Sequence, residues 1–77
     1  QPTFVLDNQA GEDWCILTLN GGDNLLSDPL PSGQTASFDI EAGTYDIYGE
    51  SCSGISTEAQ DETIEAGDEF TWTVTIE

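Results

Sequence analysis

No lysine, arginine or histidine occurs in this chain, against sixteen aspartates and glutamates, so the formal net charge is −16. Charged residues still make up 21% of the sequence, an ordinary fraction, and the anomaly is therefore one of sign. Without basic side chains no carboxylate can be neutralised by an internal salt bridge to a cationic side chain. The sixteen must spread over the surface or meet protons, metal ions or an external partner. Nucleic acid and anionic membrane are excluded as partners, because both demand cationic side chains. The absence of histidine removes Ser-His-Asp and Cys-His catalysis. The absence of lysine removes Schiff-base chemistry, isopeptide cross-linking and, together with that of arginine, every trypsin-type cleavage point. A glycosidase-like carboxylate pair remains conceivable in principle, but it needs a cleft that 77 residues hardly provide, and the chain reads as no enzyme.

Other absences narrow the class further. No apolar run approaches the eighteen residues of a membrane-spanning helix. There is no basic segment followed by an apolar one, so Gln1 is expected to be a mature terminus left after signal-peptide removal, or the start of a domain cut from a longer chain. Asn8, Asn20 and Asn24 are followed two positions on by Ala, Gly and Leu, which leaves no N-glycosylation sequon. Nine threonines and six serines leave O-linked sugar open.

What is present is a chain of one domain's length, residues 1–77, with two cysteines. A domain this small buries only about 60% of its unfolded surface, so a staple is expected. Cys15 and Cys52 lie 37 positions apart. Closing a loop of that length is worth roughly 4 kcal/mol in the chain-entropy picture. A disulfide between them implies an oxidising, extracellular or cell-surface setting; two buried free thiols are the alternative.

Glycines at 11, 21–22, 33, 43, 54 and 67 recur every ten to thirteen residues, the spacing of short strands joined by turns. Between them lie segments rich in β-branched and aromatic residues: 3–7, 14–20, 35–40, 44–50, 54–60 and 69–76. They predict an all-β, antiparallel β-sandwich of the Ig-like or transthyretin-like kind, with six to seven short strands. In the last segment Phe70, Trp72, Val74 and Ile76 alternate with Thr71, Thr73 and Thr75, one apolar and one hydroxyl face. Cys15, Leu17 and Leu19, then Ala36, Phe38 and Ile40, then Tyr45 and Ile47 complete the expected core. Counting by twos from Tyr45 places Cys52 outward, so a disulfide to an inward Cys15 requires a bulge, for which Gly49 is the natural place. Thr57 with Gln60 resembles a helix capping box, but residues 57–66 show no helical apolar stripe and are read as strand then loop. The stretch 21–33, with Pro29 and Pro31, is a loop or a frayed edge strand.

Taken in order, WCILTLNGGDNLL, PSGQTASFDIEAGTYDI, the Cys-Ser-Gly after Glu50 and FTWTV resemble a family of small secreted bacterial β-sandwich domains. In that family a Cys-containing strand precedes a Gly-Asp loop, a Pro-Gly-Gln turn, a TFD strand, an AGTYD hairpin and a second Cys followed by Gly. The resemblance spans nearly the whole chain and implies the fold and secretion, but no mechanism. Ser51 and Ser53 stand here where Asp often flanks the second Cys, which argues against a metal role for that loop.

Two candidate sites follow. Acidic groups gather at two turns, Asp7, Asn8, Glu12 and Asp13 in one and Asp23, Asn24 and Asp28 in the other; oxygen-rich clusters suit calcium, although tight turns demand the same residues. Trp14, opposite Cys15 and Leu17 by parity, and Tyr48 would form an outward aromatic pair suited to glycan stacking or to a neighbouring subunit. The leading expectation is a non-catalytic structural protein that polymerises or assembles with copies of itself in a surface fibre, filament or matrix. A monomeric binding module for calcium or glycan is the alternative, and halophilic or acid adaptation would account for the charge in either case. Because no ion pair offsets the like charges, reducing the disulfide is expected to lower the melting temperature most at neutral pH and low salt. An equal loss in high salt would refute that link.

Overall fold

The computed structural model describes residues 1–76, which form six strands in two three-stranded sheets facing each other across one core. The strands are β1 (Thr3–Asn8), β2 (Trp14–Leu19), β3 (Thr35–Asp39), β4 (Gly43–Ser51), β5 (Ser56–Ile64) and β6 (Glu69–Val74). Sheet order is β3-β1-β6 in one layer and β2-β4-β5 in the other. The all-β sandwich expected from turn spacing is thus realised with six strands. The segment 57–66 is strand through Ile64, without a helical turn. Of residues 21–33 only Leu30 pairs, in an isolated bridge with Trp14, and the rest is loop.

One pairing departs from the antiparallel expectation: β1 and β6 run parallel, Thr3 beside Glu69 through Asn8 beside Val74. Parallel strands of one sheet need a crossover between them, and here the whole intervening chain is that crossover. The two strands are held by an apolar inner face. Phe4 stacks on Phe70 with ring centroids 5.6 Å apart and meets Trp72 at 6.5 Å; aromatic pairs of this kind add about 0.5–1.5 kcal/mol each beyond area burial. Phe4 and Leu6 on β1, the central strand of its sheet, are fully buried. Facing them are Trp14 and Leu17 of β2, Ile47 of β4 and Ile64 of β5.

The second strand differs from its predicted face pattern. Trp14 pairs with Ser51 and Ile16 with Glu50, so Cys15 is an extra residue, a bulge, and Trp14 and Leu17 both point into the core. Cys15, expected inside, is only half-buried, and Trp14, expected outside, is completely buried. The anticipated bulge at Gly49 does not exist: Gly49 pairs regularly with Leu17 on one side and Thr57 on the other. Its role is space. A Cβ there would stand 2.7 Å from Trp14 Nε1 and 3.0 Å from Trp72 Cζ3, so two indoles from opposite sheets converge on a site only glycine leaves open. A further bulge lies in β5, where Gln60 and Asp61 together oppose Asp46, and Asp61 adopts φ of 57° with its N–H donating to Asp46 Oδ1.

The disulfide joins Cys15 to Cys52 with a Cα–Cα separation of 4.9 Å. Cys52 stays outward, as its parity with Tyr45 required, and it is the bulge in β2 that brings Cys15 to it. The bond therefore ties β2 to the turn that follows its neighbour β4, on the solvent side of one sheet, and does not bridge the two layers.

Gly49→Ala is expected to destabilise the protein by about 1–3 kcal/mol through overpacking, lowering the melting temperature by roughly 5–20 °C. Trp14→Phe in the Gly49→Ala background should recover part of the loss, because it removes the colliding Nε1, which is also a buried donor without a partner. Thermal melts showing additive losses in the double variant would contradict this packing account.

Candidate functional site

The residues expected to bind calcium are separated by the fold. Alternation along β1 turns Asp7 toward solvent and Asn8 into the core, so adjacent residues serve opposite faces. Asp7 is held by Gln9 Nε2 at 2.9 Å and by the Thr73 hydroxyl at 3.3 Å. Asn8 is fully buried: its amide donates to the carbonyls of Glu12 at 2.9 Å and Leu30 at 2.8 Å, and its Oδ1 accepts from Ala10 N. Asp13 is exposed and contributes its carbonyl to Cys52 N. Asp23 and Asp28 lie exposed on the long loop, while Asn24 between them is bonded to β2. Among the described residues no three acidic or cysteine side chains converge on one point, and no cavity or cleft is present.

The expected aromatic pair is likewise not formed, since Trp14 is in the core. Tyr48 does face outward, half-buried, and its hydroxyl donates to Glu50 Oε1 at 2.7 Å. That hydrogen bond to a carboxylate, reinforced by burial, raises the phenol above the ordinary tyrosine range. Glu12 shifts the other way: the Ser53 hydroxyl donates to its carboxylate and, with the Ser51 hydroxyl close by, holds it below the usual carboxylate range. Ser51 Oγ in turn lies 3.0 Å from Ser53 Oγ and accepts from Ile55 N, so the network closes the turn that carries Cys52.

What distinguishes parts of this surface is the state of the four sheet edges, those of β3 and β6 in one layer and of β2 and β5 in the other. The edge of β2 is sealed by the loop that follows it. Trp14 and Leu30 exchange both backbone bonds, at 2.9 and 2.8 Å, and Leu25 N donates to Leu17 O at 2.7 Å. Asn24 mimics a further strand residue, its Oδ1 accepting from Leu17 N and its amide donating to Cys15 O. The edge of β5 is broken by the bulge at Gln60 and Asp61 and carries Glu58, Asp61 and Glu62, devices that oppose strand addition.

Among the described residues the edges of β3 and β6 have neither protection. Ile40 N donates to Pro2 O and Asn8 N to Gln34 O, so the even-numbered residues of β3 face β1, and Thr35, Ser37 and Asp39 aim their backbone groups outward. Thr3 N donates to Asp68 O and Gln9 N to Val74 O, so Glu69, Thr71 and Thr73 do the same on β6. Inner-face Ala36, Phe38, Phe70 and Trp72 are half-buried because each strand has a neighbour on one side alone. The outer face of this sheet is polar, with Thr35, Ser37, Thr71 and Thr73 exposed around Val5.

Comparison with known proteins finds no family model, curated protein or solved structure that matches the chain. The disulfide is compatible with an extracellular location, and no helix among the described residues is long and apolar enough to cross a membrane.

Two outcomes test the local assignments. Asn24→Ala should cost about 1–3 kcal/mol by stranding Leu17 N and Cys15 O, and should speed amide exchange along β2; unchanged exchange would deny that the loop seals this edge. Glu12 has a depressed folded-state value, so its arrangement is stabilising above the unfolded carboxylate value and is lost as pH falls through the folded one. Ser53→Ala is expected to return the Glu12 carboxyl toward its ordinary range in an NMR titration, and an unmoved midpoint would exclude the hydroxyl as cause.

Proposed function

We propose that this chain is a secreted, non-catalytic structural module whose copies assemble through sheet edges into a surface fibre, filament or matrix. The observation that carries the reading is the contrast between edges: β2 is sealed and β5 is broken and charged, whereas β3 and β6 of the other sheet present ordered, unpaired backbone groups. An unprotected edge is a template for strand addition. The charge supplies a control. With sixteen carboxylates and no basic side chain, copies repel one another at neutral pH and low ionic strength. Salt shortens the reach of that repulsion to about 3 Å at ~1 M, and acidification weakens it as carboxylates take up protons.

Sedimentation velocity and electron microscopy should therefore find monomer at about pH 7 in low salt and fibres or larger oligomers at ~1 M sodium chloride or about pH 4. A monodisperse monomer in every condition would refute the reading. Fibres that form only on adding millimolar calcium, and not in sodium chloride of equal ionic strength, would replace charge screening with specific metal bridging.

A further inference from the structure

We propose that the contact between copies is heterologous, with β6 of one copy adding antiparallel to β3 of the next so that Thr71 stands opposite Asp39 and Thr73 opposite Ser37 of the neighbouring copy. This rests on the self-assembly reading above and gives it a geometry. Direction comes first. β3 runs antiparallel and β6 parallel to β1, so the two free edges of the sheet are antiparallel to each other. A second copy placed beside the first in the plane of the sheet therefore brings its β3 to β6 in the antiparallel sense, the more stable kind of pairing. Each addition uses one open edge and presents another, so the contact does not close on itself and a fibre results. A β6-to-β6 contact would end at a dimer.

Backbone parity and charge then select the register. Only odd-numbered residues aim their backbone groups outward on either edge, so a hydrogen-bonded ladder must set odd against odd. Continuing the rows of the sheet unchanged puts Glu69 directly against Asp39, and like charges directly opposed are destabilising. Sliding two residues one way sets Trp72 against Gln34 and Thr73 against Gly33, which wastes the half-buried indole. The opposite slide sets Trp72 against Phe38, Phe70 against Ile40 and Val74 against Ala36 on the inner face, with hydroxyls against Asp39 and Ser37 on the outer. Glu69 then falls opposite Glu41, beyond the last residue of β3, where the chain has left the ladder. Of these three registers it is the one that covers the half-buried aromatics of both edges without opposing two charges inside the ladder.

The test uses two prolines. Thr71→Pro and Ser37→Pro each remove an N–H that faces the free edge and not β1, so neither breaks an internal ladder bond. Folding is checked by circular dichroism and retention of the disulfide. In ~1 M sodium chloride each variant alone is expected to remain monomeric, since one edge is dead, while an equimolar mixture yields a heterodimer of doubled mass and nothing larger. If Ser37→Pro dimerises by itself, β6 pairs with β6 and the inference is overturned while self-assembly stands. If both variants form fibres as the unmodified chain does, these edges are not the contact. If the unmodified chain is itself monomeric in that salt, the assembly reading falls and the inference with it. Register is read separately by oxidising an equimolar mixture of Thr71→Cys and Asp39→Cys chains. Within one copy these positions lie two strands, at least about 10 Å, apart, too far for a disulfide. A mass-mapped 71–39 link between chains is expected, and a link formed instead when Ser37→Cys replaces Asp39→Cys would overturn the register.

Discussion

The Trp14 indole lying over Gly49 is the contact from which the organisation of one sheet follows. An indole of that size fits between the layers only where β4 offers no side chain, and Trp72 from the facing sheet approaches the same gap. Turning Trp14 inward while Leu17 also faces the core forces one surplus residue into β2, and that residue is Cys15. The bulge carries the sulfur to the solvent side, where Cys52 already points. Trp14 also anchors the long loop, because its backbone exchanges both hydrogen bonds with Leu30. Core packing, disulfide placement and protection of the β2 edge are thus consequences of where one side chain goes.

A chain without cations must find other partners for its polar groups, and here asparagine and serine supply them. Asn8 is buried with its amide and carbonyl oxygen satisfied by backbone, Asn20 accepts from Asp46 N, and Asn24 serves as an extra strand residue beside β2. Such bonds keep full strength when salt screens the surface, unlike exposed ion pairs. Repulsion among sixteen carboxylates then acts on the molecule as a whole, and it is felt most strongly where two copies approach. The open edges of β3 and β6 carry one carboxylate each, Asp39 and Glu69, at opposite sides of the same row.

Much of the fold was legible because β-structure writes a period of two into the chain. Thr71, Thr73 and Thr75 alternating with Phe70, Trp72 and Val74 announced both the last strand and its inward face, and regularly spaced glycines announced the turns. The β2 pattern misled because a bulge leaves no mark on local alternation. Trp14, Cys15 and Leu17 read as an ordinary strand with the indole outward, and only the competition for space beside Gly49 reverses the order. At the candidate calcium turns the sequence lists oxygens by proximity along the chain, whereas Asp7 and Asn8 diverge to opposite faces of one strand.

The sequence by itself determined the class of the protein: all-β, anionic with no lysine, arginine or histidine to pair its carboxylates, and carrying two cysteines as its one possible covalent staple. These are matters of composition and local period, and they hold whatever the strands pair with. Tertiary structure alone decided that β1 lies parallel to β6, that the disulfide sits outside one sheet, that Trp14 is core, and that two edges are open while two are guarded. Each of these depends on residues distant in the chain meeting in space, and strand pairing carries no signature within either strand that would name its neighbour.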